Sequence, residues 1–124
     1  MTVLGEIFSF SESSNIEILE FGASTKAKDN DGKTALMYAL NNWDRLEIIE
    51  LLVDYGADIN AQDEQGNTTL MHAVLNNDIE VVELLIKQKA NLDIQNQYGD
   101  TALTLAQLQG HDIVVALLQE SMSK

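Results

Sequence analysis

Two imidazoles, a scatter of carboxylates and a few turn-borne hydroxyls are the side chains of this 124-residue chain able to do chemistry. His72 and His111 are the only histidines and lie 39 residues apart. A zinc site needs more ligands at closer spacing. The chain has no cysteine, so thiolate ligands, disulfides and thiol nucleophiles are excluded. Asp29-Asn30-Asp31-Gly32 resembles the start of a calcium loop. With Gly32 as the loop glycine, however, the first ligand is Ala27 and the last is Tyr38. The same test on Gly66 puts Ala61 and His72 at those places, and none of these can serve. Ser11, Ser13 and Ser14 have no histidine nearby in sequence to act as a base. Glu47, Glu50 and Asp54 recur at helical spacing and read as a solvated face, not an acid–base pair. The glycines are scattered and form no phosphate loop. Neither an enzyme nor a cofactor is expected.

Charge narrows the partner. Twenty acids against seven bases give a net charge of −13, which repels phosphate backbones and anionic headgroups. Nucleic acid and membrane are therefore not expected as partners, and a basic protein surface is the complementary choice. The same charge also keeps a small protein in solution. Hydrophobic residues at 45% and a length of one domain leave enough apolar surface for a core. Met1-Thr2-Val3-Leu4-Gly5-Glu6 has no basic region or cleavage site, so no signal peptide is expected and the cytoplasm is the expected compartment. Leu51-Leu52-Val53 and Ile48-Ile49, separated by Glu50, are far too short to span a bilayer.

The elements that must position these residues repeat. Asp29-Asn30-Asp31-Gly32-Lys33-Thr34-Ala35-Leu36 recurs as Asp63-Glu64-Gln65-Gly66-Asn67-Thr68-Thr69-Leu70 and as Asn96-Gln97-Tyr98-Gly99-Asp100-Thr101-Ala102-Leu103. The three glycines are 34 and then 33 residues apart. Glu50-Leu51-Leu52 recurs as Glu83-Leu84-Leu85 and Ala116-Leu117-Leu118. Tyr55-Gly56-Ala57-Asp58-Ile59-Asn60 recurs as Gln88-Lys89-Ala90-Asn91-Leu92-Asp93, with an earlier copy at Phe21-Gly22-Ala23-Ser24-Thr25. Leu36, Ala39 and Leu40 form one helical stripe, and Leu46, Ile49, Leu52 and Val53 form a second. Thr34, Thr68 and Thr101 stand where a hydroxyl can cap the helix that follows. The glycine before each threonine supplies a positive φ in a tight turn. Ala39, Ala73 and Ala106 are small enough for neighbouring helices to approach closely.

This pattern of Gly-x-Thr-x-Leu-x-x-Ala, a helical Leu-Leu and Gly-Ala-Asp-x-Asn, carried over nearly the whole chain, resembles the ankyrin repeat. The resemblance implies an all-α solenoid of about four helix–turn–helix units joined by short β-hairpin-like loops. Residues 1–28 are a degenerate first cap, with two short helices at 2–10 and 15–21. Residues 29–62 and 63–95 are complete repeats, and 96–124 is the closing one. With no proline in the chain, the family's Thr-Pro-Leu-His reads Thr-Ala-Leu-Met, Thr-Thr-Leu-Met and Thr-Ala-Leu-Thr, leaving Met37, Met71 and Thr104 at the usual histidine site. His111 follows Gly110 as in many such repeats, where it bonds the backbone. His72 shares the slot of Tyr38 and Leu105 and is expected to pack.

The resemblance also implies binding of a protein through a concave face of turn tips and first helices. The tips are Asn30, Asp31 and Lys33, then Glu64, Gln65 and Asn67, then Gln97, Tyr98 and Asp100. The helix positions are Asn41 and Asn42, Leu75 and Asn76, Leu108 and Gln109. Tyr98, Leu75 and Leu108 would form an apolar patch rimmed by Glu64, Asp100 and Asp112, unless the two leucines tuck between helices. The 29–62 repeat has one extra residue between its helices, which either is a neutral loop insertion or sets Trp43 at the surface for contact. Lys89 replaces the glycine that should end a helix, at a cost of roughly 1 kcal/mol. The expected function is a monomeric protein-interaction module. The alternative is an acidic inhibitor or immunity-type protein masking a basic surface of an enzyme or toxin.

Overall fold

The turns are where the chain commits to its repeat. The computed structural model describes residues 28–123. In each turn one side-chain oxygen gathers two backbone amides. Asp29 Oδ1 accepts from the N–H groups of Asp31 and Lys33, both at 2.9 Å. Asp63 Oδ1 accepts from Gln65 and Asn67 at 3.0 and 2.9 Å. Asn96 Oδ1 accepts from Tyr98 and Asp100 at 2.9 and 3.0 Å. Short polar side chains that bond the backbone in this way favour turns over helix or strand. Gly32, Gly66 and Gly99 follow with φ of 75°, 82° and 80°. The hairpin-like loops are thus closed turns, and no strand forms among the described residues.

Behind each turn come two helices. They are α1 (Ala35–Ala39) and α2 (Arg45–Asp54), α3 (Thr69–Leu75) and α4 (Ile79–Lys87), α5 (Ala102–Gln109) and α6 (Asp112–Met122). The expected threonine caps form twice. Thr68 Oγ1 accepts from the Met71 N–H and Thr101 Oγ1 from the Thr104 N–H, both at 3.2 Å. Thr34 does not cap α1, and its hydroxyl is buried without a partner. The expected first cap at 1–28 lies, save for Lys28, outside the described residues.

The chain divides into two compact units, residues 1–58 and 59–124. In the first, α1 packs on α2 over Leu36, Ile48, Ile49 and Leu52, all buried. In the second, α3 packs on α4 and α5 on α6, and the two pairs stack, α3 against α5 and α4 against α6. Ala73 and Ala106 are fully buried there, as expected of residues that let first helices approach. Val74, Val81, Val82, Leu85 and Leu118 fill the core, each buried side chain stabilising the unit by about 2 kcal/mol.

A polar ladder runs beside this core. Gln62 Nε2 donates to the carbonyls of Gly66 at 2.7 Å and Gln95 at 3.0 Å, and Gln95 Nε2 repeats the pattern on Gly99 at 3.2 Å. The Gln97 N–H donates to the Gln65 carbonyl at 2.9 Å, and the Asn91 N–H to Asn60 Oδ1 at 2.8 Å.

The second helices α2 and α4 end in left-handed residues, Gly56 at φ 92° and Lys89 at φ 70°. A side chain in that region is destabilised by about 1 kcal/mol relative to glycine. Lys89→Gly is therefore expected to raise the melting temperature by roughly 4 °C. A calorimetric scan with an unchanged or lower midpoint would refute that assignment of strain.

Candidate interaction surface

The second oxygen of each turn acid reaches nine positions along the chain. Asp63 Oδ2 lies 2.8 Å from His72 Nε2, and Asp29 Oδ2 accepts from the Tyr38 hydroxyl. His72 therefore does not simply pack, as its alignment with Leu105 suggests: it anchors the turn acid. In the third turn the acid is replaced by an amide, and the partner position is the buried Leu105. Asn96 instead donates through Nδ2 to Asn67 Oδ1 at 3.0 Å, tying its turn to the preceding one. The pairing of Asp with a polar donor and of Asn with leucine follows from charge. A carboxylate removed from water requires a donor, whereas an amide brings its own. His111 departs from the backbone bond expected of it, and its Nε2 is buried without a partner.

Partial burial would raise the Asp29 carboxyl. Hydrogen bonds from Tyr38 and from the N–H groups of Lys33 and Asp31, with the charge of Lys33, outweigh it and hold the group below its ordinary value. The same bond to Asp29, with partial burial and the charges of Asp29 and Asp31, pushes Tyr38 up from 10.0 to about 12. The sign is fixed by linkage. A raised phenol contributes stability that is full below pH 10 and lost as pH climbs through about 12. Following helicity across that window should show an alkaline loss that Tyr38→Phe reduces. Coincident profiles for the two proteins would contradict the bond.

The residues read as a binding surface fall in both units. In the first, Asn30, Asp31, Asn41 and Trp43 are exposed, while Lys33 and Asn42 are half-buried. The Asn42 amide is turned inward onto the Tyr38 carbonyl. In the second, Glu64, Gln65, Asn76, Gln97 and Gln109 are exposed and Asp100 is half-buried. Asn67 is the exception. It is buried, because its side chain accepts from Asn96 and its N–H is held by Asp63, so it offers nothing to a partner.

Tyr98 at 73% and Leu108 at 69% stand in solvent, and Leu75 at 37% is at the edge of exposure. Leu75 and Leu108 occupy one repeat position on the packed helices α3 and α5 and do not tuck between them. Glu64 and Asp112 of the expected rim are exposed. Ile113, also exposed, is not singled out by the sequence pattern alone. Aligning the second helices reveals it, since Ile113 falls where Glu47 and Glu80 stand, on the outward face. Among the described residues no cluster of His, Asp or Glu is placed to hold a metal, and no helix is long and apolar enough to cross a membrane.

Paired, stacked helices joined by turns that side-chain hydrogen bonds close define a helical-repeat fold. The family model described as ankyrin repeats, three copies, matches residues 7–63 and 56–124. The chain belongs to the ankyrin repeat family, whose members are in general protein–protein interaction modules and typically not enzymes. No curated protein sequence matches the chain.

Proposed function

We propose that the chain binds a protein partner through the turn-tip and first-helix face, with Tyr98, Leu108 and Leu75 as its apolar anchor. The observation that carries this is the exposure of Tyr98 and Leu108, 73% and 69%, among turn-tip and first-helix positions of the second unit that are polar apart from these two and Leu75. Aromatic anchors commonly dominate such interfaces. Glu64, Asp100 and Asp112, expected at the anchor's rim from the repeat register, favour a partner with basic groups, in keeping with the net charge of −13. The module acts as a monomer in the cytoplasm.

The double variant Tyr98→Ala/Leu108→Ala is expected to weaken partner capture from host extract roughly 30-fold or more, about 2 kcal/mol. Its melting temperature should stay within a degree or so of the parent's, since exposed side chains contribute little to stability. A collapse in stability would mean that the patch is core.

The charge also favours a narrower reading, an acidic inhibitor or immunity-type protein that masks a basic active site or nucleic-acid-binding surface. Steered association of that kind slows steeply with added salt. An association rate that is flat across ionic strength would leave only the general module.

A further inference from the structure

The loop between α1 and α2 differs from the matching junctions of the second unit. In the second unit the matching junctions are Asn77-Asp78 and Gly110-His111. Asn77 and Gly110 turn the chain at φ of 54° and 71°, and Asp78 Oδ1 caps α4 by accepting from the Val81 N–H at 3.3 Å. The α1–α2 junction is one residue longer and lacks both devices. No residue from Leu40 to Asp44 has a positive φ. Asp44, which stands at the N-cap of α2 as Asp78 does at that of α4, makes no cap bond, and its Oδ2 is buried without a partner. Helix α1 stops after 5 residues, where α3 runs for 7 and α5 for 8. A missing cap alone costs about 1 kcal/mol. What the longer loop gains is Trp43, which is 96% exposed. An indole that contributes nothing to the core, held out by a loop without a left-handed residue or a side-chain cap, reads as a contact residue.

Charge indicates what covers it. From Asn41 to Asp54 the exposed charged side chains are Glu47, Glu50 and Asp54, all carboxylates, while Arg45 is half-buried and already has an interaction. An exposed indole close in sequence to the Glu47 carboxylate of the first turn of α2 suits a guanidinium or ammonium group, by cation–π attraction and ion pairing together. We propose that Asn41–Arg45, with the first turn of α2, is a second protein-docking surface, and that its occupant is a basic segment that stacks an arginine or lysine on Trp43. This surface lies at the opposite end of α1 from the Asp29–Thr34 turn. It shares Asn41 and Asn42 with the first-helix positions of the proposed binding face and rests in part on that reading, and Trp43→Ala set against Tyr98→Ala/Leu108→Ala tells the two apart.

The test is a selection of short random peptides displayed against the immobilised full-length chain. Trp43 is the only tryptophan, so its emission reports contact directly. Expected are cationic peptides carrying Arg or Lys that alter Trp43 emission. They should bind Trp43→Ala at least about tenfold more weakly, lose affinity in Glu47→Gln and in high salt, and ignore Tyr98→Ala/Leu108→Ala. Peptides that bind Trp43→Ala equally well, that leave the emission unchanged, or that carry no basic residue overturn the proposal. So does a Trp43→Ala chain with a markedly lower melting temperature, because the indole would then be structural.

Discussion

Gly66→Ala is expected to destabilise the second unit by about 3 kcal/mol, and Gly99→Ala by only about 1 kcal/mol. The two glycines are equivalent in the repeat and share a left-handed φ, 82° and 80°. An alanine at either position bears the cost of that conformation. The difference lies in what a methyl group would meet. At Gly99 no atom stands within 4 Å of the place a Cβ would take. At Gly66 a Cβ would sit 2.8 Å from the Gln97 nitrogen and 2.9 Å from the Asn96 Cα. Those atoms are backbone and cannot rotate away. They also belong to the contact in which the Gln97 N–H donates to the Gln65 carbonyl. Relief requires the two turns to separate, with loss of that bond and strain on the Asn96–Asn67 pair. Urea unfolding of both variants decides the matter. Equal losses would mean that the turns are not packed as tightly as described.

Asp63→Ala is expected to cost about 3 kcal/mol, because one buried carboxylate serves three donors. Its Oδ1 accepts from the N–H groups of Gln65 and Asn67, and its Oδ2 faces His72. Truncation leaves the Asn67 amide buried without a partner, and that penalty exceeds the worth of the bond it replaces. Asp63→Asn provides the control. Asn96 holds the next turn with an amide in the same two bonds, so Asp63→Asn should retain most of the stability. If the alanine and asparagine variants unfold at the same urea concentration, the bracket is not what holds the turn.

Both predictions depend on residues whose type is visible in the sequence and whose role is not. The recurrence of Gly32, Gly66 and Gly99 makes the turns legible, since a left-handed position explains a glycine at that place in every copy. The helix pairs are legible from the spacing of Leu and Ala, and Lys89 is legible as a glycine substitute. Asn67 reads as an exposed tip because a polar residue in a turn normally faces water. Its burial depends on Asn96, 29 residues away. His72 reads as a packing residue because Leu105 shares its slot, although its bond partner Asp63 varies with it. Thr34 looks like Thr68 and Thr101, but its hydroxyl makes no cap bond and is buried without a partner.

The family, the all-α repeat and the register of turns and helices are local and periodic properties, and a linear chain displays them openly. Each recurs because every copy must solve the same problem of backbone geometry and helix pairing. Tertiary structure alone decided which of two equivalent glycines is crowded, which tip residue is buried and which apolar side chains remain in solvent. Those outcomes depend on contacts between turns and helices far apart in sequence. A repeat with identical local signals can be covered by its neighbour in one place and bare in another. That difference makes Tyr98, Leu108 and Trp43 candidates for binding.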